Sequence, residues 1–175
     1  MAEARLSTTM RKIMKLPQNR WLGWAAVIAL FLGIQFGAHR DLASGDPPVF
    51  SGTTLDGEPF SLAQLRGRPA VVYFWAEWCP ICRAMQGPIQ AVAQDYPLIS
   101  LAMQSGNGAA VGQYMQQQKF QVPTLLDEDG TVAERYGLRG VPAVFILSPG
   151  GKIRYATTGY TSEAGLRLRL WLAGR

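Results

Sequence analysis

The chain has 175 residues, 48% of them hydrophobic, enough to bury one ordinary core without covalent staples. Its formal charge of +5 is uneven: of 17 basic and 12 acidic residues, five and one fall within 1–20, leaving 12 and 11, a net of +1, for the rest. A remainder so close to neutral argues against nucleic-acid binding.

The basic start holds Arg5, Arg11, Lys12, Lys15 and Arg20, and it precedes "WLGWAAVIALFLGIQFGA" at 21–38. As a helix those 18 residues would span about 27 Å, close to the hydrocarbon thickness of a bilayer. Trp21 and Trp24 stand at its start, where indole rings favour the membrane interface. With the positive charge ahead of it, the segment predicts a single-pass membrane anchor, the N-terminus cytoplasmic and the rest exported. The competing reading is a cleaved signal peptide, but Phe36 stands where the cleavage pattern wants a small residue, with "DLASG" at 41–45 as a second option. Either way the cysteines reach a compartment where disulfides persist.

Residues 39–48 are polar and end in two prolines, and read as a linker to a domain over 49–175. Asp56-Gly57 between Val49/Phe50 and Phe60 signals a hairpin, and Ser61 is placed to cap a short helical turn through Leu65. "AVVYFW" at 70–75 is apolar on both alternating faces, as a strand covered on both sides must be. A helix is expected over 81–95, kinked or interrupted at Gly87-Pro88. "LISLAM" at 98–103 reads as a second buried strand, and 108–119 as a helix with Val111, Tyr114 and Met115 on one face. A strand at 123–127, a turn at Asp129-Gly130, a short helix near 131–136 and a strand at 143–147 follow. Pro149-Gly150-Gly151 then leads into "KIRYATTG", and Leu166, Leu168, Leu170, Trp171 and Leu172 give the last helix an apolar face. Alternating strands and helices closed by a hairpin predict an α/β domain with a mixed sheet flanked by helices.

Cys79 and Cys82, in "WAEWCPICR", are the only two cysteines. Cys79 falls where a strand ends and Cys82 in the first turn of the next helix. Unpaired backbone N–H groups and the helix dipole there favour a thiolate. Pro80, which has no N–H to leave unpaired, suits the first helical position, and Pro80 and Ile81 between the cysteines are the candidates for tuning them. This predicts Cys79 as the attacking sulfur and Cys82 as the more buried, resolving one. Trp78 is expected to offer substrate an apolar contact, Trp75 to lie in the core, and Arg83 to be either a surface residue or a source of positive potential. Zinc would need four ligands, whereas the chain has two cysteines and His39 in the linker. Two thiolates could hold Cu(I), so copper binding is the alternative class; a purely structural bridge would gain little from so short a loop. No metal or other cofactor is expected beyond the redox-active disulfide itself.

"VVYFWAEWCPIC" resembles the thioredoxin active-site strand and motif, and "RGVPAVFIL" resembles its partner loop. The resemblance implies that Pro142 is a cis-proline lying against Cys79, with Val141 offering its backbone to a bound polypeptide; "QVPTLLD" offers Pro123 as a rival. From about residue 48 to 173 the chain is similar to the membrane-tethered TlpA-like proteins, among them the cytochrome c maturation reductases and the copper-sensitivity suppressor (ScsD-like) branch. This implies a thioredoxin-like fold with an N-terminal β-hairpin extension and a central helix–strand insert. The implied activity is thiol–disulfide exchange with exported protein thiols or disulfides, serving apocytochromes or copper-stressed proteins, with a membrane electron donor of the DsbD/CcdA type. An oxidase of exported thiols is the alternative direction, and peroxide reduction is suggested only by the shared superfamily. Two acids of the family pattern are replaced: Tyr73 stands six residues before Cys79 in place of an aspartate, and Met85 three after Cys82 in place of a glutamate. The proton of Cys82 would then go to water, to Glu77 or to the substrate.

Overall fold

The structure, a computed structural model, describes residues 42–175. The segment 21–38 and the anchor read from it lie outside the described residues; among those described, no helix is long and apolar enough to cross a membrane.

Six consecutive buried residues, Ala70–Trp75, form β3, and a strand with no exposed face must sit inside a covered sheet. It is the middle of a five-stranded sheet in the order β5-β4-β3-β6-β7. Here β4 is Leu98–Met103, β5 Thr124–Asp127, β6 Ala143–Leu147 and β7 Ile153–Thr158. The pairs β3/β4 and β4/β5 are parallel, and β3/β6 and β6/β7 antiparallel. A separate hairpin joins β1 (Ser51–Thr53) to β2 (Pro59–Ser61) around the expected Asp56-Gly57 turn. The helices are α1 (Pro80–Ala93), α2 (Gly108–Gln118), α3 (Thr131–Arg135) and α4 (Glu163–Ala173), with a 3-10 turn at Leu62–Leu65. This is the mixed α/β sandwich read from the sequence.

The period-two alternation of β3 divides the core. Val71, Tyr73 and Trp75 pack with Met85, Ile89 and Val92 of α1 and with Leu166 and Leu170 of α4. Val72 and Phe74 point the other way, to Phe50, Tyr136 and Phe145. Because side-chain direction flips at each residue, Tyr73 and Trp75 are committed to the face that carries the cysteine helix.

Three local expectations are corrected, and the described end of the linker is seen to make backbone bonds. Helix α1 runs without interruption through Gly87 and Pro88. Proline there forfeits one backbone bond, while Cys82, Met85, Ile89 and Val92 bury the same face on both sides of it. Ser61 precedes the 3-10 turn but makes no side-chain cap. In α4, Leu166, Leu170 and Ala173 enter the core, whereas Leu168, Trp171 and Leu172 are exposed, because at 3.6 residues per turn the two sets lie on opposite sides. The described part of the linker is bound to the domain: Ala43 N–H donates to the Tyr136 carbonyl at 3.0 Å, and Ile153 N–H to the Gly45 carbonyl at 2.7 Å.

Burial raises the phenols of Tyr73 and Tyr136 well above the ordinary tyrosine value, and the Tyr136 hydroxyl has no hydrogen-bond partner. A raised folded-state pKa means the native state holds the proton after the unfolded chain has released it. Stability from this source is complete below about pH 10 and is lost above it, by up to about 1.4 kcal/mol per pH unit for each tyrosine. The urea midpoint is expected to hold steady to about pH 9 and then fall, and Tyr136→Phe should flatten the alkaline decline; a midpoint indifferent to pH up to 11.5 would contradict it.

Candidate active site

Strand β3 ends at Trp75, and the turn Ala76–Cys79 closes with Cys79 N–H donating to the Ala76 carbonyl at 3.2 Å. Cys79 is the N-cap of α1, in extended backbone, and Pro80 takes the first helical position as its missing N–H allows. The cap is the sulfur itself: Cys82 N–H donates to Cys79 Sγ at 3.1 Å. Cys79 and Cys82 are joined as a disulfide with their Cα atoms 5.3 Å apart.

Both cysteines are nearly inaccessible, Cys79 4% exposed and Cys82 1%, so the outer sulfur is the one approached from solvent. Once the bond is reduced, the same N–H and the helix dipole stabilise negative charge on Cys79. Cys82 lies one turn inside, under Tyr73, whose hydroxyl donates to the Cys82 carbonyl at 3.4 Å. Met85 is fully buried beside it. The two positions where the resemblance expects acids thus hold a phenol of raised pKa and a thioether.

The Val141–Pro142 peptide is cis, and among the described residues no other peptide is, so Pro123 does not share that geometry. The Val141 carbonyl oxygen lies 3.5 Å from Cys79 Sγ. A disulfide sulfur has no proton to give, so this is a contact here; a Cys79 thiol would donate across the same gap. Pro142 is buried, Val141 partly exposed, and the Pro142 carbonyl accepts from Gly159 N–H at 2.9 Å. Tyr160, the next residue, is 59% exposed. Trp78 and Ile81 are likewise about half exposed, while Trp75 is buried. Arg83 and Pro80 are exposed on α1, and Glu77 is half-buried. Among the described residues, no three His, Cys, Asp or Glu side chains come together as a metal site.

The Gln104–Ser105 turn, which accepts from Trp78 Nε1 and Glu77 N–H, escaped the sequence reading. "SGNGAA" reads as a loop and helix start, and Asn107 does cap α2, accepting from Ala110 N–H at 3.1 Å. No spacing connects residue 104 to residue 78, because the two meet only through the pairing of β3 with β4.

A CxxC pair capping a helix, beside a cis-proline loop on a mixed sheet, defines a thioredoxin-like dithiol–disulfide protein. Residues 45–156 match the AhpC/TSA family, and the chain belongs to it. It is 38% identical over 121 residues to a thioredoxin-like protein of Haemophilus influenzae, covering 68% of this chain and 72% of that one. It is 30% identical over 160 residues to the thiol:disulfide interchange protein DsbE of Pseudomonas fluorescens, covering 83% and 88%. A thiol:disulfide interchange protein of Chlorobium tepidum superposes with a TM-score of 0.64 at 26% identity, covering 76% of this chain and 98% of that one. Its relatives are thiol–disulfide oxidoreductases, and the Cys79–Cys82 pair fits a CxxC redox motif.

Proposed function

We propose that this protein is a membrane-anchored reductase of disulfides in exported proteins, with Cys79 as nucleophile, Cys82 as resolving thiol and no redox group beyond that pair. The observation that carries the reading is the cap: the sulfur at the surface of the pair is the one that receives the N–H of the helix start, at 3.1 Å. The Cys79 thiolate attacks one sulfur of a substrate disulfide and expels the other as a thiolate. Cys82, having given up its proton, attacks Cys79 and expels the second substrate sulfur. Two electrons and two protons pass to the substrate, and Cys79–Cys82 closes as the disulfide seen here.

Trp78, Ile81 and Val141 supply an apolar rim against which an extended polypeptide can lie, with the Val141 backbone open to strand-like pairing. The basic start and apolar stretch 21–38 support the anchor, and similarity to TlpA-like reductases supports the direction, with a membrane donor of the DsbD/CcdA type restoring the dithiol. Equilibration with dithiothreitol or glutathione buffers tests that direction. A reduction potential near about −270 mV is expected; one near −120 mV would make the protein an oxidant and overturn the reductase reading.

A further inference from the structure

The residues just before the nucleophile are held by a turn that belongs to another strand. Gln104, directly after β4, has φ +46, and only one other non-glycine residue among those described has positive φ. Such a conformation persists only where the surroundings enforce it. Here Gln104 N–H donates to the Asp127 carbonyl at 3.0 Å, and its side chain lies over Gly130, where a Cβ would come within 3.1 Å of Nε2. The result is a carbonyl aimed outward, and it accepts the Trp78 indole N–H at 3.1 Å. The next residue, Ser105, is 1% exposed although polar. Its hydroxyl donates to the Met103 carbonyl at 2.9 Å and accepts Glu77 N–H at 3.1 Å.

An aromatic ring that is 57% exposed would ordinarily sample several rotamers, and the bond from its indole N–H to the Gln104 carbonyl favours one of them. We infer that the Gln104–Ser105 turn is a positioning device that holds Trp78 as a rigid wall of the polypeptide groove. It sets how tightly a protein disulfide is bound and leaves the sulfur chemistry to Cys79 and Cys82. The energetic logic is pre-organisation: a ring already fixed loses no rotamer freedom when substrate lies on it. Ser105 and Gln104 are positioning residues, since neither is placed to touch the reacting sulfurs.

The inference rests on the proposed exchange with polypeptides, and a double-mutant cycle separates the two. The full-length dithiol form is assayed against insulin, and KM and kcat are measured for the parent, Ser105→Ala, Trp78→Ala and the double variant. Ser105→Ala loses the bonds to Glu77 N–H and to the Met103 carbonyl, of which the first reaches the groove, and is expected to raise KM about five-fold, with kcat and the glutathione equilibration midpoint unmoved. Trp78→Ala should raise KM further, and the double variant should match Trp78→Ala alone, because Ser105 then has nothing left to position. Trp78→Phe, which keeps an aromatic ring but loses the indole N–H and part of the ring area, should raise KM at least as much as Ser105→Ala and less than Trp78→Ala, and serves if the Ser105 variant misfolds. The inference is overturned if the two effects add, if kcat or the midpoint moves with KM, or if Trp78→Phe matches the parent. A parent chain that does not reduce insulin at all would instead sink the reductase reading.

Discussion

Cys79→Ser is expected to abolish disulfide exchange, lowering the rate by roughly a thousand-fold or more, while Cys82→Ser leaves attack intact and stops turnover at a trapped adduct. The asymmetry follows from the cap. Cys79 Sγ receives the Cys82 N–H and is the sulfur nearer solvent, whereas Cys82 lies under Tyr73 and beside Met85. A serine hydroxyl at position 79 stays protonated at neutral pH and cannot form the mixed disulfide. With serine at 82, the mixed disulfide forms but lacks the second sulfur that would release it. Non-reducing electrophoresis and intact mass should show a one-to-one adduct for Cys82→Ser and none for Cys79→Ser; the reverse pattern would exchange the two roles.

Trp75→Ala is expected to cost about 3–5 kcal/mol. The ring is 1% exposed, stacks on Tyr114 at 5.6 Å between centroids and meets Phe120 edge-on at 5.5 Å. Its Nε1 donates to Ser100 Oγ at 3.1 Å; Ser100 contacts Thr124 Oγ1 at 2.7 Å, and Thr124 donates to the Val122 carbonyl at 2.9 Å. Truncation opens a cavity, removes two aromatic contacts and leaves a buried hydroxyl without its donor. Domains of this size are stable by only about 5–15 kcal/mol, so the melting temperature should drop on the order of 10–20 °C. Trp75→Phe, which keeps a ring and loses the indole donor, should lose less than half as much. If Trp75→Ala cost under 1 kcal/mol, Trp75 would not be the keystone of that face.

The pH behaviour of the site follows from what surrounds Cys82. A phenol whose pKa is driven upward by burial holds its proton through the neutral range, and a thioether has none to exchange. Neither Tyr73 nor Met85 is therefore suited to take the Cys82 proton at neutral pH, in keeping with the sequence expectation that it goes to water, to the substrate or to Glu77.

Strand β3, helix α1, the hairpin and the alternation of the two sheet faces were legible in the sequence because each is written in a local period or a turn pair. So was the chemistry of the cysteines, since their spacing puts both sulfurs on one helical turn. Local pattern allowed an interruption or a kink at Gly87-Pro88; the interruption does not occur, because a shared buried face keeps α1 continuous. Local pattern misjudged Leu168, Trp171 and Leu172, whose hydropathy matches the core while their angle around α4 points them away from it. Gly159 meets the cis-proline loop only through its bond to Pro142, and Gln104 and Ser105 meet Trp78 and Glu77 only through the parallel pairing of β3 with β4. What the sequence alone determined is the set of interactions within a few residues: the helix-capped sulfur, the buried strands and the proline that the family resemblance marks as cis. What tertiary structure decided is every contact between segments far apart in the chain, because hydrogen bonds from Trp78 to Gln104 and from Glu77 to Ser105 leave no trace in spacing or periodicity.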